Sequence, residues 1–312
     1  MEGGYGVSIF FIISGFILSV PFAHQKLLQQ KPVNLKEYYL RRISRIEPPY
    51  FISLLIFLII RVWILHYDSL FQLLPNFIAS AFYIHNIVYG SASTINGVAW
   101  SLEVEIQFYV LAPLLTNIYY IKNKLGRRIL FFVLILVGAY ISYVFDNSAS
   151  ILTKGCYFFC GMLAADWYVL REQEWNGKVI AFLTTLSFIF FQFVPSYYQN
   201  VFFCLIKILA ILFIFYICLT NDYLKKILSV KIVTVIGGMC YSIYLTHMGV
   251  YGLMRHGFFQ VRFTGIAFLD ALFHYFIAGI TALTVGCIFF LLIEKPTMKR
   301  RWYKNLFKKL AT

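Results

Sequence analysis

Acidic residues are scarce in this sequence. Thirteen Asp and Glu stand against 27 Lys and Arg, and charged residues of both signs make up only 13% of 312 residues. So little charge, beside 61% hydrophobic and 20% aromatic residues and a mean hydropathy of +0.76, excludes a water-soluble domain and indicates a polytopic membrane protein. Cysteine is sparse too: the six residues at 156, 160, 204, 218, 240 and 287 all fall in apolar stretches. They read as small packing residues, with no disulfide framework. Cys156 and Cys160 share a helix face but have no nearby His or carboxylate in sequence, so no metal site is expected. The first apolar run has no basic segment before it and no small-residue cleavage site, which excludes a secretory signal.

What is present is a series of apolar runs near 5–21, 49–65, 98–120, 129–146, 151–170, 178–194, 201–219, 232–254 and 265–293, nine in all. Each is long enough to cross a hydrocarbon core of ~30 Å. The net charge of +14 could suggest nucleic acid, but the basic residues occupy short runs between apolar ones, as cytoplasmic loops require. No nucleic-acid partner is therefore expected. With nine crossings, 22 of the 27 Lys and Arg fall on one side, in 22–48, 121–128, 171–178, 220–231 and 294–312. Making 70–90 a further crossing would move the 121–128 run to the opposite side. Pro75 and the Ser/Thr/Asn-rich stretch 91–96 instead suit a re-entrant or interfacial segment at 70–97 on the external side. The expected fold is a single all-α domain over 1–312, a membrane helix bundle of nine transmembrane helices. The first residue is then external and the basic tail, 294–312, cytoplasmic.

Within this frame the informative stretch is Trp100 to Pro113, WSLEVEIQFYVLAP, which puts two carboxylates in an apolar, helix-length segment. Glu103 and Glu105 lie roughly 200° apart around a helix, so they point to nearly opposite faces. Ser101, Glu105 and Tyr109 make one polar stripe; Trp100, Glu103 and Gln107 make a second. In the cytoplasmic loop 22–48, Asn34 followed by Glu37 predicts a short helix, ended by Pro48-Pro49. Its Leu35, Tyr39, Ile43 and Ile46 form an apolar stripe, and Arg41, Arg42 and Arg45 point elsewhere. Those arginines fit either an anionic lipid surface or a phosphate-bearing ligand gripped by guanidinium forks. Ser14-Gly15 in the first run admits close approach of a helix or a ligand. His247 lies within the eighth run, where a structural hydrogen-bonding role and a chemical one both remain open. Glu294, before Pro296, could be a simple helix stop. Trp302, Leu306 and Leu310 are spaced as an interfacial basic helix.

The order and spacing of these features resemble the acyltransferase type-3 family of bacterial membrane O-acyltransferases. Gly6-Val7-x-x-Phe10-Phe11-x-x-Ser14-Gly15-Phe16 is similar to the family's second-helix motif, in which the place of Ser8 is often Asp. Arg41-Arg42-x-x-Arg45-Ile46-x-Pro48-x-Tyr50 is similar to the arginine motif that follows. Trp100-Ser101-Leu102-x-x-Glu105-x-x-Phe108-Tyr109, Tyr241-Ser242-x-Tyr244-Leu245-x-His247 and Glu294-x-Pro296 resemble the later signatures. The family's fold is a bundle of about ten transmembrane helices, each about 20 residues long, with both termini cytoplasmic. That implies a helix before the second-helix motif. In the family it carries an Arg and a His regarded as the catalytic base, for which this sequence has no counterpart. The chain as given is thus expected to lack that base, and the upstream reading frame to encode an apolar helix containing it.

The resemblance implies transfer of an acyl group, usually acetyl, from acyl-CoA as co-substrate to a hydroxyl of a cell-surface or lipid-linked glycan. No bound cofactor or metal is implied. The setting is the bacterial cytoplasmic membrane, with the carboxy terminus inside. It implies Ser14, Gly15, Phe16, Arg41, Arg42 and Arg45 for the acyl donor, Trp100, Ser101 and Tyr244 for the acceptor, and Glu105, Tyr109 and His247 for catalysis. His24 and His247 are the in-sequence histidines that could replace the family's base. A transporter or flippase-like protein that binds a glycan or lipid without covalent chemistry is the alternative, since intramembrane acids also mark substrate paths.

Overall fold

The computed structural model describes residues 4–66, 69–145, 150–171, 175–193, 201–255 and 257–298. Its elements are α1 (Gly4–Leu27), α2 (Leu35–Ile59), α3 (Leu70–Ala81), α4 (His85–Tyr89), α5 (Ala99–Leu115), α6 (Lys124–Val144), α7 (Ile151–Val169), α8 (Lys178–Phe193), α9 (Val201–Thr220), α10 (Asp222–Leu228), α11 (Lys231–Gly238), α12 (Cys240–Arg255), α13 (Ala267–Phe289) and α14 (Lys295–Thr297). Turns of π-helix extend α2 over Ile60–Ile64 and α13 over Phe290–Glu294, and a 3-10 turn, Thr116–Tyr120, follows α5. No strand occurs among the described residues. Local signals start several helices: Ser69 with Gln72 and Ser150 with Thr153 form capping boxes, and Asn123 accepts from Leu125 N and Gly126 N.

The chain is an integral membrane protein. Five helical stretches among the described residues are long and apolar enough to cross a bilayer: Gly6–Leu27, Leu35–Ile64, Lys124–Val144, Val201–Thr220 and Ala267–Thr297. α11 and α12 would make a sixth as a pair bent by 67°. The remaining expected spans are α5, α7 and α8, of 17, 19 and 16 residues. α5 and α8 are short against the about 20 residues a crossing takes. α7 is buried around most of its circumference and carries Asp166 in its interior, as a central helix does.

One difference from the sequence expectation stands out. The helix that begins at Leu35 does not end at Pro48-Pro49 but runs on to Ile59. Each proline removes one N–H and presses on the carbonyl four residues before it. Close by, the Ile46 carbonyl accepts from Tyr241 Oη at 2.9 Å, and Ser53 Oγ donates to the Tyr50 carbonyl at 2.7 Å, tying this stretch of α2 to α12 and to itself. In the basic tail, helix continues to Thr297, and Trp302, Leu306 and Leu310 lie outside the described residues.

The described residues form two compact units. The first holds residues up to Leu35 and Ser101–Lys231, the second Lys36–Trp100 and Ile232 onward. In the first, α7 packs against α1, α6 and α9. The α1–α7 contact is backbone to backbone. A Cβ on Gly15 would lie 2.4 Å from the Phe158 carbonyl oxygen, and one on Gly161 2.2 Å from that of Ile12. Phe158 stacks on Phe108 of α5 at 4.1 Å between centroids and tilts against Phe11 at 4.8 Å. In the second, α12 packs on α13 where Gly286 meets Ile243. α3 is held to α2 by Tyr50 Oη donating to the Ser80 carbonyl at 2.9 Å, and its flanking Tyr83 donates to Glu47 at 2.8 Å. At 12 residues α3 is too short to cross a bilayer.

Candidate active site

Glu105 is the centre of the first unit's polar interior. It lies in α5 and is only 3% exposed. A carboxylate there loses its hydration and must be compensated by hydrogen bonds. Two hydroxyls supply them: Ser14 Oγ of α1 and Tyr109 Oη, one turn along α5, both donate to Glu105 Oε1 in short contacts. Each hydroxyl therefore commits its proton to the same carboxyl oxygen. Ser101, the remaining member of this stripe, is buried too. The second stripe is also inside the protein. Glu103 is fully buried, and Gln107 Oε1 accepts the backbone N–H of Ile151 at 3.1 Å, where α7 begins.

Ser14 and its neighbours serve different ends. Ser14 reaches the carboxylate, whereas Gly15 lies against the α7 backbone, and the Phe16 ring meets Tyr168 and Phe215 edge-on at 5.4 and 5.5 Å. The structure thus seats Gly15 and Phe16 in helix packing. His24, near the end of α1, has Nδ1 against the Val20 carbonyl at 3.0 Å.

The second unit holds Arg41, Arg42, Arg45, Trp100, Tyr244 and His247. Arg41 is an exposed side chain paired with Glu37 at 3.2 Å, a contact of small energetic worth. Arg42 is half-buried and Arg45 exposed. Tyr244 Oη donates to the Val98 carbonyl at 3.0 Å, and Asn96 Nδ2 to the Leu245 carbonyl at 3.2 Å, fixing the approach to α5 against α12. Asn86 Nδ2 donates to the Trp100 carbonyl at 3.0 Å. His247 Nδ1 is 2.7 Å from the Tyr244 carbonyl and its ring lies between Tyr244 and Tyr251. A carbonyl can only accept, so Nδ1 carries the proton and Nε2 of a neutral ring keeps its lone pair for an incoming proton.

Three buried polar groups had weak or no signal in the sequence. Glu294 is fully buried, with Oε2 accepting from Ser242 Oγ at 2.5 Å. Asp166, fully buried in α7, pairs with Arg127 at 2.5 Å and Arg128 at 3.0 Å. His85, also fully buried, is bonded through both ring nitrogens, to the Ser91 carbonyl at 3.0 Å and Asn76 Oδ1 at 2.9 Å. Glu294 sits in a recognisable motif but reads equally well as a helix stop. The partners of Asp166 lie 38 and 39 residues away, beyond any helical periodicity. No cluster of three or more His, Cys, Asp or Glu able to hold a metal occurs among the described residues.

A buried carboxyl held by hydroxyls from two helices of an integral membrane protein marks a candidate functional site. The chain belongs to the acyltransferase-3 family, whose model, described as an acyltransferase domain, matches residues 3–292. Among curated relatives, the peptidoglycan O-acetyltransferase OatA of Listeria monocytogenes is 29% identical over 285 residues, covering 79% of this chain and 44% of that protein. The O-acetyltransferase OatA of Staphylococcus aureus is 30% identical over 285 residues, covering 79% of this chain and 46% of that protein. The chain therefore spans less than half the length of these relatives. No solved structure matches it.

Proposed function

We propose that this chain is a membrane O-acyltransferase domain that moves an acyl group, acetyl in the simplest case, from acyl-CoA to a hydroxyl of a cell-surface or lipid-linked glycan. Peptidoglycan is the acceptor class suggested by the name of the Listeria relative. The observation that carries the reading is the Ser14–Glu105–Tyr109 cluster, a buried carboxyl with two oriented hydroxyls, in a chain of this family. In the reaction the acceptor oxygen attacks the thioester carbonyl carbon. The C–S bond breaks, CoA leaves as the thiolate, and a base takes the hydroxyl proton. A histidine suits that step, and His247 has the tautomer for it. Glu105 orients or electrostatically supports the polar groups of the reaction, with Ser14 and Tyr109 fixing its direction. Trp100, Ser101 and Tyr244 belong to the acceptor side in this reading. Arg41, Arg42 and Arg45 receive the phosphates of the donor. In the same reading α5, α7, α8 and the bent α11–α12 pair cross the bilayer together with the five long stretches, giving nine crossings in the bacterial cytoplasmic membrane and a cytoplasmic carboxy terminus.

The test uses membranes holding the full-length protein, labelled acetyl-CoA and peptidoglycan fragments. Label should appear in the acceptor and be lost in Glu105→Gln and Arg42→Ala. Transfer that survives both substitutions unchanged would sink the site assignment. No transfer at all, with glycan still bound, would favour a carrier that does no covalent chemistry.

A further inference from the structure

We propose that Asn86 is a positioning residue for the acceptor glycan: it holds the start of α5, and with it Trp100, in register with Tyr244 and His247. Asn86 is buried in α4, and its Nδ2 donates to the Trp100 carbonyl at 3.0 Å. The turn that presents this amide is pinned on both sides. Before it stands His85, fully buried and bonded through both ring nitrogens, to the Ser91 carbonyl at 3.0 Å and to Asn76 Oδ1 of α3 at 2.9 Å. After it, Gly90 closes the turn in the left-handed region at φ +63°, its N–H donating to the Asn86 carbonyl at 3.0 Å. α3 is tied in turn to α2, where Tyr50 Oη donates to the Ser80 carbonyl at 2.9 Å.

Residues 90–98 form no helix, so side chains bonded to backbone set where α5 begins. On the far side of the joint, Tyr244 Oη of α12 donates to the Val98 carbonyl at 3.0 Å, and Asn96 Nδ2 donates to the Leu245 carbonyl at 3.2 Å. The Tyr244 carbonyl receives His247 Nδ1 at 2.7 Å. One chain of hydrogen bonds and adjacent backbone thus runs from Asn86 through Trp100 and Val98 to Tyr244 and His247. Acyl transfer needs the acceptor hydroxyl aligned with both its base and the thioester, and small misplacements of positioning groups are costly. Asn86 itself touches no reacting atom; resting on the reading of Trp100 and Tyr244 as acceptor residues, its effect passes through Trp100. Loosening this joint should therefore impair use of the glycan and leave use of the acyl donor alone.

The experiment measures initial rates of acetyl transfer by the full-length protein in nanodiscs, varying acetyl-CoA and soluble peptidoglycan fragments in turn, for Asn86→Leu, Asn86→Ser, Trp100→Ala and the Asn86→Leu/Trp100→Ala double variant. Asn86→Leu, close in volume but without the donor, should raise KM for the fragments about fivefold and leave KM for acetyl-CoA within about twofold of wild type. Asn86→Ser, a milder change that keeps a shorter donor, should fall in between and gives the same reading if Asn86→Leu does not fold. Trp100→Ala should raise KM for the fragments about tenfold, and adding Asn86→Leu to it should raise that KM no further. Wild-type KM for the fragments in both Asn86 variants, an equal rise in both KM values, a further loss on top of Trp100→Ala, or failure of both Asn86 variants to fold would overturn the inference. Wild-type kinetics in Trp100→Ala, or no transfer by the wild type, would instead remove the acceptor-side reading and the inference with it.

Discussion

At the scale of single residues, the polar cluster of the first unit is three side chains that meet at one oxygen, and in the proposed function it supports acyl transfer. Ser14→Ala and Tyr109→Phe each remove one donor from Glu105 Oε1 and leave the buried carboxylate under-satisfied. Hydrogen bonds to charged groups contribute about 1.5–3 kcal/mol. Each substitution should therefore lower acetyl transfer to peptidoglycan fragments by about tenfold or more. Because both act on the same atom, the double variant should lose less than the product of the single losses, and a double-mutant cycle on initial rates measures the difference. Multiplicative losses would mean that the two hydroxyls act independently. Half of this cluster was legible in the sequence. The four-residue spacing of Ser101, Glu105 and Tyr109 places them on one helix face, and Tyr109 does reach Glu105. Ser14 lies 91 residues from Glu105, and nothing in local periodicity connects them. The small Ser14-Gly15 pair signalled a close approach without saying whose, and the answer is the backbone of α7 for Gly15 and the Glu105 carboxylate for Ser14.

At the scale of elements, α1 and α7 touch so closely that two glycines carry the contact. Gly15→Ala and Gly161→Ala would put a methyl group 2.4 and 2.2 Å from backbone carbonyl oxygens, which cannot rotate away. The helices must part, and each substitution should cost about 1–3 kcal/mol in thermal unfolding of the detergent-solubilised protein. Gly279→Ala in α13 is the contrast. Its Cβ meets nothing within 4 Å, so gaining the better helix former should stabilise by up to about 1 kcal/mol. A destabilised Gly279→Ala, or a neutral Gly15→Ala, would contradict this packing. The ion cluster of α6 and α7 makes a second prediction. Asp166→Asn leaves Arg127, itself 3% exposed, buried without its carboxylate and should cost about 3–5 kcal/mol in the same assay. Arg128→Gln, which leaves the Arg127–Asp166 pair in place, should cost much less. The spacing of apolar residues made most helices legible, because a lipid-facing or core-facing helix must be apolar over its length. It did not reveal that α2 continues through Pro48 and Pro49. The sequence rule holds for a helix in water, whereas prolines are tolerated inside membrane helices, and this one runs on to Ile59.

At the scale of the whole molecule, charge asymmetry and helix length make different demands, and they can be separated by experiment. Among the described residues five stretches are long enough to cross alone, while α5, α7, α8 and the bent α11–α12 pair must cross as well if the basic loops are to share one side. α3 must not cross, for otherwise the run from Lys122 to Arg128 would be displaced to the external face. A short helix can still complete a crossing when other helices surround it, because its polar backbone ends then meet protein instead of hydrocarbon. α7, buried on nearly every side, meets that condition most clearly. Single cysteines in a cysteine-free background test the arrangement with a membrane-impermeant maleimide. Ser91→Cys and Arg262→Cys, both exposed positions, should label in intact cells. Lys122→Cys and Lys226→Cys, also exposed, should label only after permeabilisation. Labelling of Lys122→Cys in intact cells would mean that α3 crosses after all, which would place the basic start of α6 on the external side and reverse every later crossing.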